Sequence, residues 1–254
     1  MDTATTISIG SAIGTIGSAI IYLYTLREIR KQTVNAYTPH LIVENARFYV
    51  YAVVKGTIMM TQNWYDHPQT SEIIALETLS FRSNRFMLKI HNIGFGIAKR
   101  VSIDFSYDVD PFLNQIEALR NLVEDRLQIR ISRQGEWFNF ERRSDDLPYA
   151  GFGISAQNGL HQDYGFVKLV SAENDALLMD VPRLYLELVN VYIFYVSRLR
   201  QTRQIEIIFP VITLEARYLD FNNTEISTNY SLTTSLDTFG TMFYYGQFEI
   251  FEGE

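Results

Sequence analysis

The chain lacks cysteine, so the sequence excludes disulfide bonds and cysteine-bound metals. Its four histidines are His40, His67, His91 and His161, and no two of them have metal-ligand spacing. No G-x-S-x-G motif is present, and the net charge of −7 argues against nucleic acid as a partner of the whole chain. We therefore expect no metal, no cofactor and no enzymatic activity.

Charge is also missing from residues 3–26, and basic residues follow at once with Arg27, Arg30 and Lys31. As a helix this run extends roughly 36 Å, enough to cross a hydrocarbon core of about 30 Å. A secretory signal peptide would have basic residues before its apolar run, whereas here that position has Asp2 and no Lys or Arg. A buried core helix would have a shorter apolar run. The pattern predicts a transmembrane helix at residues 3–26.

The flanks of this helix predict its orientation. Basic residues favour the cytoplasmic side of a membrane, and here they lie only after the span. We therefore expect the N-terminus outside and the rest of the chain in the cytoplasm, at a bacterial inner membrane. The absence of cysteine agrees with a reducing compartment.

Gly10, Gly14 and Ser18 lie four residues apart and so share one face of the predicted helix. Small residues let helix backbones approach closely in lipid, which predicts a homo-oligomer with this face as the helix–helix interface. The alternative is that glycine is simply common in membrane helices. Since no charged residue lies within the span, any pore would be lined by hydroxyl or apolar groups.

The remaining chain reads as a basic flank and linker at residues 27–39 and a β-rich domain at residues 40–254. Residues 40–54 are strand-like, although a helix is the alternative there. Residues 86–90 and 101–109 alternate apolar and polar side chains, which predicts two strands. We expect the glycine-containing loop between them to make them a hairpin.

Asp110 and Pro111 predict the start of an amphipathic helix near residues 111–126, with Asp110 as N-cap. Strand-like pieces at 127–131 and 137–140 follow. A late hairpin is expected from strands at 184–196 and 205–216, joined by an arginine-rich turn. Two further strands are predicted at 227–233 and 242–251. The predicted fold is therefore a mainly β, antiparallel, sandwich-like domain with one inserted helix.

Two basic clusters are the candidate binding site. Aromatic residues precede the first cluster, and the second lies in the predicted hairpin turn. Arginines beside aromatic rings can bind a small anionic ligand or lipid headgroups, whereas arginines at strand edges can simply prevent edge pairing. The candidate residues are Arg142, Arg143, Arg198, Arg200 and Arg203. Gly94-Phe95-Gly96 follows a strand but precedes no helix, so it does not predict a phosphate site.

Three segments together resemble uncharacterised bacterial single-pass membrane proteins with a cytoplasmic β-sandwich-like domain. These are the basic flank followed by Pro39 and residues 40–43, the element at residues 86–101, and the late hairpin at 184–215. The likeness covers about half of the chain and concerns its architecture. Some membrane proteins of this plan act in bacterial anti-phage defence, so the resemblance implies such a role.

Three functions fit these patterns. The first is a non-enzymatic membrane effector, whose β domain senses a protein or small anionic ligand and controls assembled transmembrane helices. The second is a membrane-tethered adaptor that recruits a cytoplasmic protein. The third is an enzyme whose site the sequence does not reveal.

Overall fold

A computed structural model describes residues 3–51, 63–68, 85–123, 128–143, 150–168, 176–199, 208–239 and 243–253. Within these ranges the chain forms three helices and thirteen strands. The strands belong to three sheets, and the pairings between them are antiparallel. The prediction of a mainly β, antiparallel fold is confirmed.

Helix α1, Thr3–Ala36, is longer than the predicted span. It continues without a break through most of the predicted basic flank and linker at residues 27–39. Only residues 37–40 separate α1 from the first strand. Ala, Leu, Arg, Lys and Gln are good helix formers, and a flank built largely of such residues favours continuation until the Pro39 region ends it.

Within the part of the chain that the structure describes, no helix is both long enough and apolar enough to cross a membrane.

The largest sheet has seven strands in the order β3-β2-β13-β12-β11-β5-β9. Its members are β2 (Ala46–Tyr51), β3 (Asn63–Tyr65), β5 (Ala98–Ser106), β9 (His161–Val167), β11 (Ile212–Leu219), β12 (Glu225–Phe239) and β13 (Phe243–Glu252).

Two small sheets complete the β structure, with orders β1-β4-β10 and β6-β7-β8. They consist of β1 (Leu41–Val43), β4 (Met87–Asn92), β10 (Leu177–Asp180), β6 (Gln128–Gln134), β7 (Trp137–Arg143) and β8 (Ala150–Ser155). All three sheets contribute side chains to one hydrophobic core.

The two alternating strands predicted around the glycine loop are present as β4 and β5, but they are not a hairpin. β4 pairs with β1 and β10, whereas β5 pairs with β11 and β9. The loop between them therefore carries the chain from one sheet to another. Alternation reveals which side of a strand is buried, but it does not reveal the neighbouring strand.

Helix α2, Val109–Leu122, is the predicted amphipathic helix. It starts before Pro111, and its N-cap is Asp108 rather than Asp110, so that part of the prediction is wrong. The apolar face is as predicted, because Phe112, Ile116 and Leu119 are buried. Proline fits here because the first turn of a helix does not use its backbone N–H.

Helix α3, Arg183–Leu199, replaces the predicted strand at residues 184–196, and the late hairpin is therefore absent. Apart from Arg183 at its start, every residue of α3 whose side chain the structure describes is buried. Arg183, Glu187 and Asn190 have the spacing of one helix face. Leu184, Leu186 and Leu188 have strand spacing as well, so this apolar run also resembles a buried strand in sequence. Its expected partner strand begins only at Ile212 and pairs with β12 and β5.

The remaining strand predictions fared better. The strands expected at 227–233 and 242–251 are confirmed as parts of β12 and β13. Those expected at 127–131 and 137–140 correspond to β6 and β7. The strand-like segment at 40–54 is divided into β1 and β2, and residues 52–54 lie outside the described part.

Helix α3 occupies the centre of the β domain, by which we mean the chain from β1 onward. The Tyr185 hydroxyl lies 2.7 Å from Thr234 Oγ1 on β12, and Tyr195 donates a hydrogen bond of 2.7 Å to the Ile129 carbonyl on β6. Asn190 Oδ1 accepts a hydrogen bond of 2.9 Å from the Trp64 indole on β3. Since these partners lie on two different sheets, α3 holds the large sheet and the β6-β7-β8 sheet together.

Candidate functional site at the junction of helix α1 and the β domain

Residues 37–40, which we call the connector, attach α1 to the β domain. The Tyr37 amide still donates to the Thr33 carbonyl at 3.1 Å, so the connector begins as the last turn of α1. Pro39 is buried. The carbonyl of His40 accepts a hydrogen bond of 2.8 Å from the Ile93 amide. The connector is therefore held against the loop between β4 and β5.

The side chain of Asn92, at the end of β4, is the centre of this contact. Its Oδ1 accepts hydrogen bonds from the amides of His40 and Gly94, each at 3.1 Å. Its Nδ2 donates to the carbonyls of Gly96 at 2.6 Å and Val167 at 3.3 Å. Asn92 is fully buried, and an amide is the side chain that offers both a double acceptor and two donors. It therefore joins the connector, the β4–β5 loop and β9.

The β4–β5 loop needs its two glycines because the connector backbone crosses it closely. A Cβ atom on Gly94 would overlap the carbonyl oxygen of Thr38, and one on Gly96 would overlap the carbonyl oxygen of Tyr37. The obstacles are backbone atoms rather than flexible side chains, so a larger residue would displace the connector.

Two tyrosines of the large sheet bind the other side of the connector. Tyr218 donates to the Pro39 carbonyl at 3.4 Å, and Tyr230 donates to the carbonyl of Leu41 in β1. Burial is the main reason that the pKa of Tyr230 lies far above its ordinary value, so the hydroxyl stays a donor at physiological pH. Through these contacts, α1 is fixed to two of the three sheets.

A cavity of about 410 Å³ lies beside the connector. Thr33 of α1 and Tyr37 of the connector form one side, and residues of the β4–β5 loop, the start of β5 and the turn between β11 and β12 form the rest. Lys99 is among the lining residues: its Nζ donates to the Phe221 carbonyl at 3.2 Å and lies 5.5 Å from the centre of the Phe221 ring. This volume is in the range of small-molecule sites, which are mostly apolar with a few polar groups.

A separate polar network lies on the large sheet. His161 on β9 is 2.6 Å from Asp104 and 3.2 Å from Asp163, and Arg217 on β11 forms an ion pair with the other oxygen of Asp104. Hydrogen bonds to Asp104 and Asp163 raise the pKa of His161. Partial burial raises the pKa of Asp104, but hydrogen bonds from His161 and Arg217 lower it overall. The two carboxylates therefore favour the protonated form of His161, and the network is a cluster of ion pairs on the surface of the large sheet.

This network gives a pH prediction. The stabilisation from the raised pKa of His161 is present at low pH and is lost as pH rises through that pKa. The stabilisation from the lowered pKa of Asp104 is present above the ordinary aspartate pKa and is lost in acid. His161→Gln should therefore be most destabilising between about pH 4 and about pH 6.5 and least so near pH 9.

Urea unfolding midpoints across this range would measure the effect, with His67→Gln as an exposed-histidine control outside the network. A stability difference between His161→Gln and wild type that grows toward high pH would contradict the prediction.

The structure places the backbone of three of the five predicted arginines. Arg142 and Arg143 lie on β7, opposite Ile129 and Gln128 of β6. Arg198 lies in the last turn of α3 rather than in a hairpin turn. Arg200 and Arg203 lie outside the described residues. The hairpin that grouped the last three arginines is absent, so that reason for a shared site is wrong.

The predicted helix–helix face lies on α1, which carries Gly10, Gly14 and Ser18 at helical spacing. No group of three or more His, Asp or Glu side chains is arranged to hold a metal ion in the described ranges.

Sequence reasoning missed the residues that form the junction. It treated Asn92, Gly94 and Gly96 as parts of a hairpin loop, and it gave no role to Tyr218, Tyr230 or Lys99. An asparagine followed by two closely spaced glycines does signal a special backbone path. The tyrosines gave no such signal, because their hydrogen-bond partners are 179 and 189 residues away in the sequence.

We compared the chain with protein families, with curated proteins and with solved structures, and it matches none of them.

Proposed function

We propose that this chain is a non-enzymatic, membrane-anchored oligomer whose cytoplasmic β domain senses a protein or small anionic ligand and controls the assembled α1 helices. The residues 3–26 of α1 would cross a bacterial inner membrane, with the N-terminus outside. In keeping with the resemblance described above, the cellular role would be that of a membrane effector in anti-phage defence.

The rigid junction carries this proposal. A simple tether needs only a flexible linker between anchor and domain. Here α1 runs without interruption into a connector that is fixed by Asn92, by two close glycine contacts and by two tyrosine hydroxyls. A change in the β domain would therefore move α1, as a switch requires.

The surface of α1 gives further support. Ile20, Ile21, Tyr22, Leu23 and Tyr24 are each between 62% and 74% exposed. Five consecutive helical residues, at about 100° each, cover every side of the helix. A stretch of helix with large apolar side chains exposed on every side needs lipid or other helices around it. Both would be supplied by an oligomer in a bilayer.

The charges agree with the proposed orientation. Arg27, Arg30 and Lys31 are exposed on the part of α1 that precedes the connector. The positive-inside rule places such residues, and the β domain behind them, in the cytoplasm. The predicted arginines of β7 and of residues 198–203 remain candidates for the anionic ligand.

The mass of the detergent-extracted protein tests the assembly. Gly14→Leu places a large side chain on the small-residue face and should reduce a defined oligomer to a monomer. Ala12→Leu is the matched control, because it adds the same bulk at similar depth about 160° around the helix. Wild type and Ala12→Leu should keep the oligomeric mass.

A monomer in all three proteins would contradict assembly through α1. The adaptor function would then be favoured, with α1 acting only as an anchor and the β domain recruiting a cytoplasmic protein.

A further inference from the structure

Five large apolar side chains are exposed around Lys99, and we call this surface the Lys99 patch. Their exposed fractions range from 47% to 71%. The members are Tyr37, Phe95, Ile97, Phe166 and Phe221. Contiguous apolar surface of this kind marks an interaction site rather than ordinary protein surface.

The patch is assembled from four parts of the fold at the end of the β domain where α1 leaves. Tyr37 begins the connector, and Phe95 and Ile97 come from the β4–β5 loop, whose path Asn92 fixes. Phe221 lies in the turn between β11 and β12, and Phe166 lies opposite Lys99 in the β5–β9 pair. Because the ordered junction positions these side chains, their exposure is a property of the fold.

The charge around the patch is mainly positive. Lys99 lies within it, and exposed Arg100 follows directly. On α1, Arg30 precedes Thr33 of the cavity wall by less than one turn. Glu28 is the exposed carboxylate on this part of α1, whereas Asp220 is buried and its carboxylate accepts a hydrogen bond of 2.7 Å from the Thr224 amide. Exposed aromatic rings beside basic residues are typical of the membrane–water interface.

The distance from the proposed span to the patch is compatible with membrane contact. Seven residues separate Leu26 from Thr33, a rise of roughly 10 Å along α1. The headgroup layer on each side of a bilayer is roughly 5–8 Å thick. Thr33 would therefore lie just beyond the headgroups, and Phe95 and Phe221 line the same cavity as Thr33.

We propose that the Lys99 patch binds the surface of an anionic phospholipid bilayer, with Phe95 and Phe221 among the headgroups and Lys99 beside a lipid phosphate. This inference rests on the proposed function, because it requires α1 to enter the membrane. It adds a second membrane contact, made by the β domain itself, which would fix the tilt of the domain. A change in the amount of anionic lipid would then change the tilt of the domain and so act directly on the junction.

Fluorescence quenching by lipids brominated on their acyl chains tests the contact. The full chain would be reconstituted into vesicles of phosphatidylcholine with phosphatidylglycerol, with Phe221→Trp in a Trp137→Phe background. The introduced indole should lose most of its emission, and its spectrum should shift to the blue. Lys99→Gln should weaken the quenching, as should vesicles of phosphatidylcholine alone.

The native chain supplies the matched control. Trp137 is 55% exposed at the start of β7, next to the β6–β7 turn. That hairpin is held to α2 by an ion pair of 3.0 Å between Arg133 and Asp110, and α2 follows the far end of β5 from Lys99. The length of β5 is roughly 26 Å, so Trp137 should escape quenching in the wild-type chain. Trp64 is buried and is common to both proteins.

Extraction of the vesicles at alkaline pH separates the two proposals. A chain that is washed off would contradict the proposed membrane span and this inference with it. A chain that stays in the membrane but shows no quenching at position 221 would overturn the inference alone, and would leave a protein partner as the occupant of the patch. Equal quenching in both lipid mixtures would overturn the role of the anionic lipid.

Discussion

Asn92→Ala should lower the melting temperature of the protein by roughly 6–12 °C. The variant leaves four backbone groups without their partner: the amides of His40 and Gly94 and the carbonyls of Gly96 and Val167. A buried polar group without a partner costs about 1–3 kcal/mol, and partial rearrangement reduces the sum to on the order of 3 kcal/mol. For a domain of this size, each kcal/mol corresponds to about 2–4 °C.

The connector should become accessible in Asn92→Ala before the whole domain unfolds. Limited proteolysis of Asn92→Ala should cut the chain within residues 37–40 under conditions that leave wild type intact. Asn92→Asp is a graded variant, because a carboxylate keeps the acceptor for two amides but loses both donors. His91→Ala, at the adjacent half-buried position, should have a far smaller effect. A wild-type melting temperature and a protected connector in Asn92→Ala would contradict the role of Asn92 in fixing the connector.

The elements that the sequence predicted correctly are those with one buried and one solvent-exposed side. In β4, buried Leu88 and Ile90 alternate with exposed Met87 and Lys89, so its period is visible. In α2, the apolar positions repeat at helical spacing for the same reason. When one side of an element faces solvent, its polar residues recur at strand or helix spacing. That spacing identified the type of each element.

Helix α3 shows where this reasoning fails. It contacts the large sheet, β6 and α2, so nearly every position is apolar and its many Val, Tyr, Ile and Phe residues match strand preferences. The alternating Leu184, Leu186 and Leu188 concealed the helical spacing of the polar residues, and tertiary packing overrode local preference. The error then placed Arg198 in a turn and created a hairpin that does not exist.

The junction could not be predicted for a different reason. Its parts are ordinary one by one: an asparagine at a strand end, two glycines and two tyrosines in separate strands. They become a site only when β4 and β11 lie beside the connector, and sequence spacing does not encode which strands become neighbours. The hydrogen bonds of Asn92 alone join positions as far as 75 residues apart.

Insertion of two alanines after Lys31 should abolish any membrane activity of the proposed effector, whereas insertion of seven should retain it. In a continuous helix, two residues rotate the β domain by about 200° relative to the span, while seven residues rotate it by about 700°, within 20° of two full turns. If the β domain controls the span through a rigid α1, then the rotation of the domain relative to the span determines whether the variant is active. Depolarisation of cells that express each variant would be the measurement.

The absence of cysteine from the chain provides the control for assembly. Ser18→Cys can be introduced into each variant as the sole thiol, and cross-linking between copies reports whether the small-residue faces still meet. We expect cross-linking in all variants, because the insertion lies outside the span, and loss of depolarisation in the two-residue variant only. Equal depolarisation by both insertions would mean that the β domain does not turn the helices, and α1 would then be a tether.

The seven-residue variant also moves the Lys99 patch roughly 10 Å farther from the bilayer. If that variant depolarises cells without lipid contact, the rotation of the helix controls activity. If that variant does not depolarise cells, lipid contact by the β domain is part of the switch.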